Sequence, residues 1–177
     1  MSTIIQLEKL YNKISIVGCG TWGIAIAKHL SEKTSVTLHH YRKEFLSNLE
    51  KNRKYNKSFN YNLSDNIQIS LESPHNSDLL IIATPVQYIR DTLINTLNHN
   101  NSPILILSKG IEVKTLMFPS QIICDTLGMS DLNIAVMSGP NHAEQVVRRD
   151  PTSSVIASKN TDFAKSLQSL FSNENFR

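Results

Sequence analysis

The sequence predicts an α/β fold of the doubly wound kind, a mainly parallel sheet with helices on both faces. Three observations carry that expectation. Short β-branched runs alternate with amphipathic stretches, the order produced when parallel strands are joined by crossover helices. The run from Asp78 to Ala83 is almost wholly apolar, as in a strand buried on both faces. Three of the runs stop at Gly18, Thr84-Pro85 and Gly139-Pro140, residues that break a strand by backbone geometry.

The first strand is Lys13 to Gly18, followed by a helix from Thr21 to about Glu32 that carries Trp22, Ile26 and Leu30 on one face. Ser35 to His39 reads as the second strand. Arg42 to about Lys54 reads as a helix with Phe45, Leu46 and Leu49 inward, and the Asn-, Tyr- and Lys-rich stretch from Tyr55 to Asn66 as a loop long enough to cover a cofactor. Ile67 to Leu71 is a weakly alternating strand and Asp78 to Ala83 a buried one. Val86, Ile89, Leu93 and Leu97 then mark an amphipathic helix to about Asn98. Pro103 opens a strand from Ile104 to Ser108. Lys114 to Leu127 reads as a helix running through Pro119 and ending at Gly128, and Asn133 to Ser138 as another strand. A short helix from Asn141 to about Arg148, a strand from Ser154 to Ser158 and a helix from Thr161 to Phe171 complete the chain. No internal repeat is present.

The 177 residues are one domain's worth, and folding buries roughly 70% of the surface of a chain this long. A hydrophobic share of 40% and a charged share of 19% belong to a globular chain rather than a disordered one. The net charge of +3 is too small and scattered for a protein that binds by neutralising many nucleic-acid phosphates. Cys19 and Cys124 form neither a CxxC pair nor a Cys/His cluster, so no metal site and no disulfide framework are expected. No apolar run approaches a membrane span, and Glu8, Lys9 and Lys13 interrupt the only stretch that would resemble a signal peptide. The chain reads as cytoplasmic.

Gly18-Cys19-Gly20-Thr21-Trp22-Gly23 fits G-x-G-x-x-G directly after a strand and at the start of a helix, the context in which that pattern binds a dinucleotide. Gly18 serves the tight turn, Gly20 the approach of a pyrophosphate and Gly23 the packing of helix on strand, with the helix N-terminus facing the anion. A carboxylate after the second strand would favour NAD, but no Asp or Glu lies between Glu32 and Glu44. His39, His40, Tyr41, Arg42 and Lys43 stand there instead. Arg42 suits a 2′-phosphate, so NADP is tolerated; a solvated basic corner accounts for the same residues.

Thr84-Pro85, Lys109-Gly110 and Ser138-Gly139-Pro140-Asn141 end three more strands, and ligands of open parallel sheets bind outside the carboxyl ends of strands. Lys109 suits a phosphate or a developing negative charge, or is an ordinary loop lysine. Gly139 and the helix after Pro140 suggest a second anion-friendly amide cluster, or a plain helix start. Cys19 has no basic partner to make it a catalytic thiol. His29 and His99 lack metal-ligand spacing, and His142 reads as a polar helix start. Arg148-Arg149 and Lys51-Asn52-Arg53-Lys54 read as solvated helix surface.

Together these segments resemble the N-terminal cofactor domain of bacterial-type NAD(P)-dependent glycerol-3-phosphate dehydrogenase over nearly the whole chain. The resemblance rests on Ile14 to Ala27 with Trp22 in the glycine turn, Ala83-Thr84-Pro85-Val86-Gln87-Tyr88-Ile89-Arg90, Ser108-Lys109-Gly110-Ile111-Glu112, Ser138-Gly139-Pro140-Asn141-His142-Ala143-Glu144 and Phe176-Arg177, in order. It implies that Thr21, Trp22, Tyr41 and Arg42 contact NAD(P)H, that Ala143 lines the cofactor site, and that Lys109 touches cofactor and substrate. It further implies that Gly139 and Asn141 lie where the family meets glycerol 3-phosphate. Asn141 stands in place of a small hydroxyl residue, His39 in place of a frequent tryptophan, and Asn60-Tyr61-Asn62 in place of Leu-Pro-Gly.

In the family, Phe-Arg leads into a helical C-terminal domain bearing the catalytic lysine of a Lys-Asn pair. Residues 1–177 are therefore expected to be the dinucleotide-binding domain alone, with no catalytic residue to assign. The implied reaction is reduction of dihydroxyacetone phosphate to sn-glycerol 3-phosphate for phospholipid synthesis, by a homodimer or with a separately encoded C-terminal domain. A non-catalytic dinucleotide-binding module, a remnant or half of a split enzyme, fits the same residues. A ketopantoate reductase or sugar-nucleotide dehydrogenase would not account for Trp22 together with Ser108 to Glu112 and Ser138 to Ala143.

Overall fold

The computed structural model describes residues 11–97 and 101–177. The readings of the first ten residues, of the helix end at Asn98 and of His99 fall outside them. The elements follow in the order β1 (Lys13–Val17), α1 (Thr21–Ser31), β2 (Ser35–His39), α2 (Lys43–Asn52), β3 (Lys54–Tyr55), β4 (Tyr61–Asn62), β5 (Ile67–Ser70) and β6 (Leu79–Ile82). A 3-10 turn, Val86–Tyr88, precedes α3 (Ile89–Thr96). Then come β7 (Ile104–Ile106), α4 (Pro119–Leu127), β8 (Ile134–Ser138), α5 (Ala143–Arg148), β9 (Val155–Ser158) and α6 (Thr161–Phe171).

Seven strands form one sheet in the order β5-β2-β1-β6-β7-β8-β9. The pairings are parallel from β5 to β8, and only β9 runs antiparallel, against β8. The alternation expected of a sheet covered on both faces is explicit. Ile14 and Ile16 of β1, Leu79 and Ile81 of β6, Leu105 of β7, and Ala135 and Met137 of β8 join one core with α1, α2, α5 and α6. Val17, Leu80, Ile82, Ile104, Ile106 and Ile134 face the other way, into a second core with α3 and α4. The doubly wound architecture is thus the one the sequence predicts. From the central β1, successive strands spread outward in opposite directions, leaving a crevice at the carboxyl ends of β1 and β6.

Four expectations are corrected. The helix read over Lys114 to Leu127 begins only at Pro119, because proline is favoured at the first helical position, where its missing N–H costs nothing. The segment before it folds back on itself, with Glu112 N donating to Met117 O at 2.9 Å and Leu116 at φ +60°. The loop read over Tyr55 to Asn66 contains a small antiparallel hairpin, β3 with β4. The helix read from Asn141 starts at Ala143 and has six residues, too short to make its N-terminus an anion site. Arg53, read as helix surface, is a tether: it ends α2 at φ +50°, and its guanidinium donates to Ile67 O at 2.9 Å and Ser64 O at 2.5 Å.

Among the described residues no helix is long and apolar enough to cross a membrane.

Candidate dinucleotide and substrate crevice

The site grows from the turn between β1 and α1. Gly18 N donates to His39 O at 2.9 Å, joining the turn to the end of β2, and Gly20 caps α1, its carbonyl accepting from Ile24 N at 3.0 Å. The three glycines of the motif are glycine for different reasons. Gly18 sits at φ +116°, and a Cβ there would lie 2.7 Å from the carbonyl carbon and oxygen of Ala83. A Cβ on Gly23 would fall 1.9 Å from Gly18 O, a backbone atom that cannot yield. Gly20 has φ −72°, open to any residue, and a Cβ there would meet nothing within 4 Å. Neither conformation nor internal packing accounts for a glycine at Gly20. It leaves bare backbone beside the first turn of α1, which is the surface a pyrophosphate needs in order to approach the helix amides. The residues present fit a dinucleotide.

From this turn a row of contacts crosses the carboxyl edge of the sheet. Thr84 Oγ1 donates to Val17 O at 3.2 Å, and Ser108 Oγ donates to Thr84 O at 2.5 Å. Gly110, at φ +108°, packs under Val86. Lys109 Nζ donates to Asn141 Oδ1 at 3.5 Å, and Asn141 Nδ2 to Ser154 Oγ at 2.7 Å. The structure therefore brings Lys109 and Asn141 together and joins their strands to the glycine turn. Asn141 is buried, and both ends of its side-chain amide are hydrogen-bonded, to Lys109 and to Ser154. Gly139 has its own packing reason: at φ +154°, its Cβ would lie 3.0 Å from Ser153 O and Ser154 Cα. Ala143 is buried at the first position of α5, after His142, whose carbonyl accepts from Gln145 and Val146 N.

The opposite end of the crevice lies beyond β2. Arg42 Nε donates to Tyr41 OH at 2.7 Å, and its guanidinium carbon stands 5.2 Å from the Tyr41 ring centroid. Tyr41 stacks on His40, with centroids 4.7 Å apart, and His40 lies 5.0 Å from Phe45. Thr21, at the start of α1, shares its hydroxyl with Tyr55 OH at 3.0 Å and Ser58 Oγ at 3.1 Å, pinning the β3–β4 hairpin to the glycine turn. Trp22, next to it, is half-buried against the core that α1 covers. Sequence reasoning passed over Tyr55, Ser58 and Ser154, because isolated polar residues in short segments carry no periodic signal.

Two residues near the turn are inert. Cys19 is buried and donates to His39 O, and burial pushes its thiol up to about 12, so no thiolate forms near neutrality. His39 is buried in a chain of polar groups: Ser77 Oγ donates to Ser15 Oγ at 2.8 Å, Ser15 lies 3.2 Å from His39 Nε2, and Nδ1 is 2.8 Å from Glu72 O. The Glu72 carbonyl can only accept, so Nδ1 carries a proton, and burial holds the imidazole below its ordinary range.

Residues 13–164 match the family model described as the N-terminus of NAD-dependent glycerol-3-phosphate dehydrogenase. A glycerol-3-phosphate dehydrogenase (NAD(P)+) from Thermoanaerobacter sp. (strain X514) is 34% identical over 171 residues, covering 93% of this chain and 51% of the relative. One from Thermotoga sp. (strain RQ2) is 37% identical over 163 residues, covering 92% and 49%. The crystal structure of glycerol-3-phosphate dehydrogenase from Coxiella burnetii superposes with a TM-score of 0.84 at 24% identity, over 95% of this chain and 53% of that one, a likeness of fold. The chain spans about half the length of the curated relatives it matches. By the match over residues 13–164, it belongs to the family of NAD-dependent glycerol-3-phosphate dehydrogenase N-terminal domains.

Proposed function

We propose that residues 1–177 form the dinucleotide-binding half of a cytoplasmic enzyme that reduces dihydroxyacetone phosphate to sn-glycerol 3-phosphate with NAD(P)H, a reaction that feeds phospholipid synthesis. The observation that carries this reading is Gly20, whose missing side chain neither conformation nor packing demands, at the start of α1 and beside the crevice between β1 and β6. When bound, the dinucleotide supplies the hydride.

The chain's own residues do the positioning. Gly18, Gly20 and Gly23 shape the turn that receives the pyrophosphate, and Thr21 and Trp22 extend that surface along α1. Tyr41 and Arg42 hold the adenosine end, and Ala143 lines the cofactor side of α5. Lys109, in the segment after β7, would offer its ammonium to cofactor and substrate and, with both bound, would stabilise negative charge that develops on oxygen. Asn141 orients that ammonium, and the backbone at Gly139 borders the substrate. No group in this half is assigned to protonate the carbonyl oxygen. That step falls to a lysine of a helical second half, on the same chain, in a homodimer or on a separate polypeptide.

The test is titration of the folded chain with NADH and NADPH, followed by addition of a helical C-terminal domain from a family member. Binding by the chain alone, with dihydroxyacetone phosphate reduced only in the mixture, supports the proposal. Binding with no activity in any mixture favours a non-catalytic dinucleotide-binding module. Absence of binding by well-folded protein overturns both.

A further inference from the structure

At the end of the crevice beyond β2, Arg42 and Lys57 have no carboxylate partner among the described residues. Arg42 uses only Nε internally, on Tyr41 OH, and among the described residues its terminal nitrogens make no hydrogen bond. Lys57, carried between β3 and β4, places its ammonium 4.9 Å from the Phe45 ring centroid and donates to no acceptor among the described residues. The described ion pairs belong to Arg90, Arg148, Arg149 and Lys159, so neither Arg42 nor Lys57 is neutralised by a carboxylate. Glu44, in the first turn of α2, is not paired with either. Phe45, His40 and Tyr41 form a continuous row of rings between the two cations.

Both charges bear on His40, which burial first, then Arg42, then Lys57 hold below the ordinary histidine range. The imidazole between them is thereby kept neutral, and it adds no third charge. Like charges on either side of His40 repel each other, a cost that a bound dianion removes. A guanidinium with a free fork and an ammonium acting as a point charge are the pair of donors that a phosphate monoester takes. A carboxylate at the end of β2, which would favour a ribose 2′-hydroxyl, is lacking among the residues between Glu32 and Glu44.

Lys57 does not reach this place by chance of a loose loop. Its hairpin is closed by the Lys54–Asn62 and Tyr55–Tyr61 pairs, and it is fixed to α1 through the Thr21 hydroxyl, which meets Tyr55 and Ser58 on either side of Lys57. The same residue that starts the pyrophosphate helix therefore sets the position of the cation.

We propose that Lys57, delivered by the β3–β4 hairpin, is a specificity-determining residue that joins Arg42 in binding the 2′-phosphate, so that this chain selects NADPH over NADH. The inference rests on the dinucleotide reading of the crevice and adds to it the choice of cofactor and a residue outside the glycine motif.

The experiment is fluorescence titration of the 177-residue chain with NADPH and NADH, and calorimetric titration with 2′,5′-ADP and 5′-AMP, for wild type, Lys57→Gln, Lys57→Arg and Arg42→Gln. Wild type is expected to bind NADPH at least about tenfold tighter than NADH, because a charged hydrogen-bonded contact is worth about that factor. Lys57→Gln should weaken NADPH and 2′,5′-ADP by about tenfold and leave NADH and 5′-AMP unchanged, Lys57→Arg should retain the preference, and Arg42→Gln should lose more of it. Unfolding curves of each variant confirm that the fold persists. Equal affinity of wild type for the two dinucleotides overturns the inference, as does an equal loss for both in Lys57→Gln, which would put Lys57 on the pyrophosphate. If wild type binds neither dinucleotide, the reading of the crevice itself falls, and this inference with it.

Discussion

At one end of the crevice, the turn from Gly18 to Gly23 is backbone packed on backbone. Gly18 closes on Ala83, Gly23 on Gly18, and only Gly20 is open. At the other end, beyond β2, Tyr41 is 71% exposed and Arg42 is held mainly by its own neighbour. The first region has no freedom and presents amides, which in the proposed reading receive any pyrophosphate alike. The second is made of side chains whose charges, in the same reading, distinguish ligands. Affinity common to all dinucleotides and discrimination among them are thus assigned to different kinds of structure, and each can be disturbed without the other.

Gly23→Ala disturbs the first most severely. The new Cβ would stand 1.9 Å from Gly18 O, 3.1 Å from Gly18 C and 3.3 Å from Ala83 Cβ, so helix and strand must separate. A loss of at least about 3 kcal/mol is expected, at the upper end of what overpacking costs. Chemical denaturation reads it directly, and a stability near wild type would show that the turn is more pliable than its packing implies.

Gly20→Ala separates ligand from fold at the same turn. Alanine fits at φ −72° with open space around it, so stability should stay within about 1 kcal/mol, the lower flexibility of the unfolded chain offsetting a poorer helix cap. Affinity for NADH and NADPH should fall together, by about tenfold or more, because the methyl group occupies the approach of the pyrophosphate. An unequal loss would blur the division between the two regions.

His39 links them, since its carbonyl accepts from Gly18 N while the next three residues form the end of the crevice beyond β2. Its ring is neutral and held below the ordinary histidine range by burial. Stability is therefore full above about pH 6.5 and declines as pH falls below it, because the unfolded chain takes up a proton that the folded one refuses. The slope from this residue is at most about 1.4 kcal/mol per pH unit. His29, buried with Nε2 donating to Phe171 O at 2.7 Å, contributes in the same direction. Unfolding free energies at pH 7.5, 6.5 and 5.5 should flatten in His39→Gln relative to wild type, and parallel profiles would remove His39 from the account.

The same contrast governs what could be read from residues alone. The glycine turn was legible because backbone constraints select one residue type at fixed spacing, and β6 and β7 because burial on both faces leaves continuous apolar runs. The direction of β9 was not, since a four-residue strand pairs as well either way until its neighbours are known. Pro119 carried its signal, but at a helix start rather than inside one. The hairpin escaped because strands of two residues have no period, and its anchor, Tyr55 against Thr21, joins groups 34 residues apart. Lys57 could not be given a place until that anchor was seen.

Tyr55→Phe tests that anchor with the smallest change. The ring, 2% exposed and 5.1 Å from Phe59 between centroids, stays where it is, and only the hydroxyl that meets Thr21 is removed. The cost to stability should be about 0.5–1.5 kcal/mol, the net worth of one such hydrogen bond. Ser58 still meets Thr21 at 3.1 Å, so the hairpin loosens rather than detaches, and the ammonium of Lys57 spreads over a wider volume. NADPH affinity should drop about two- to threefold while NADH affinity holds, because only the first ligand has a group that Lys57 can reach. Equal small losses for both would mean that the hairpin braces α1 as a whole, and that the two ends of the crevice are less separate than their construction suggests.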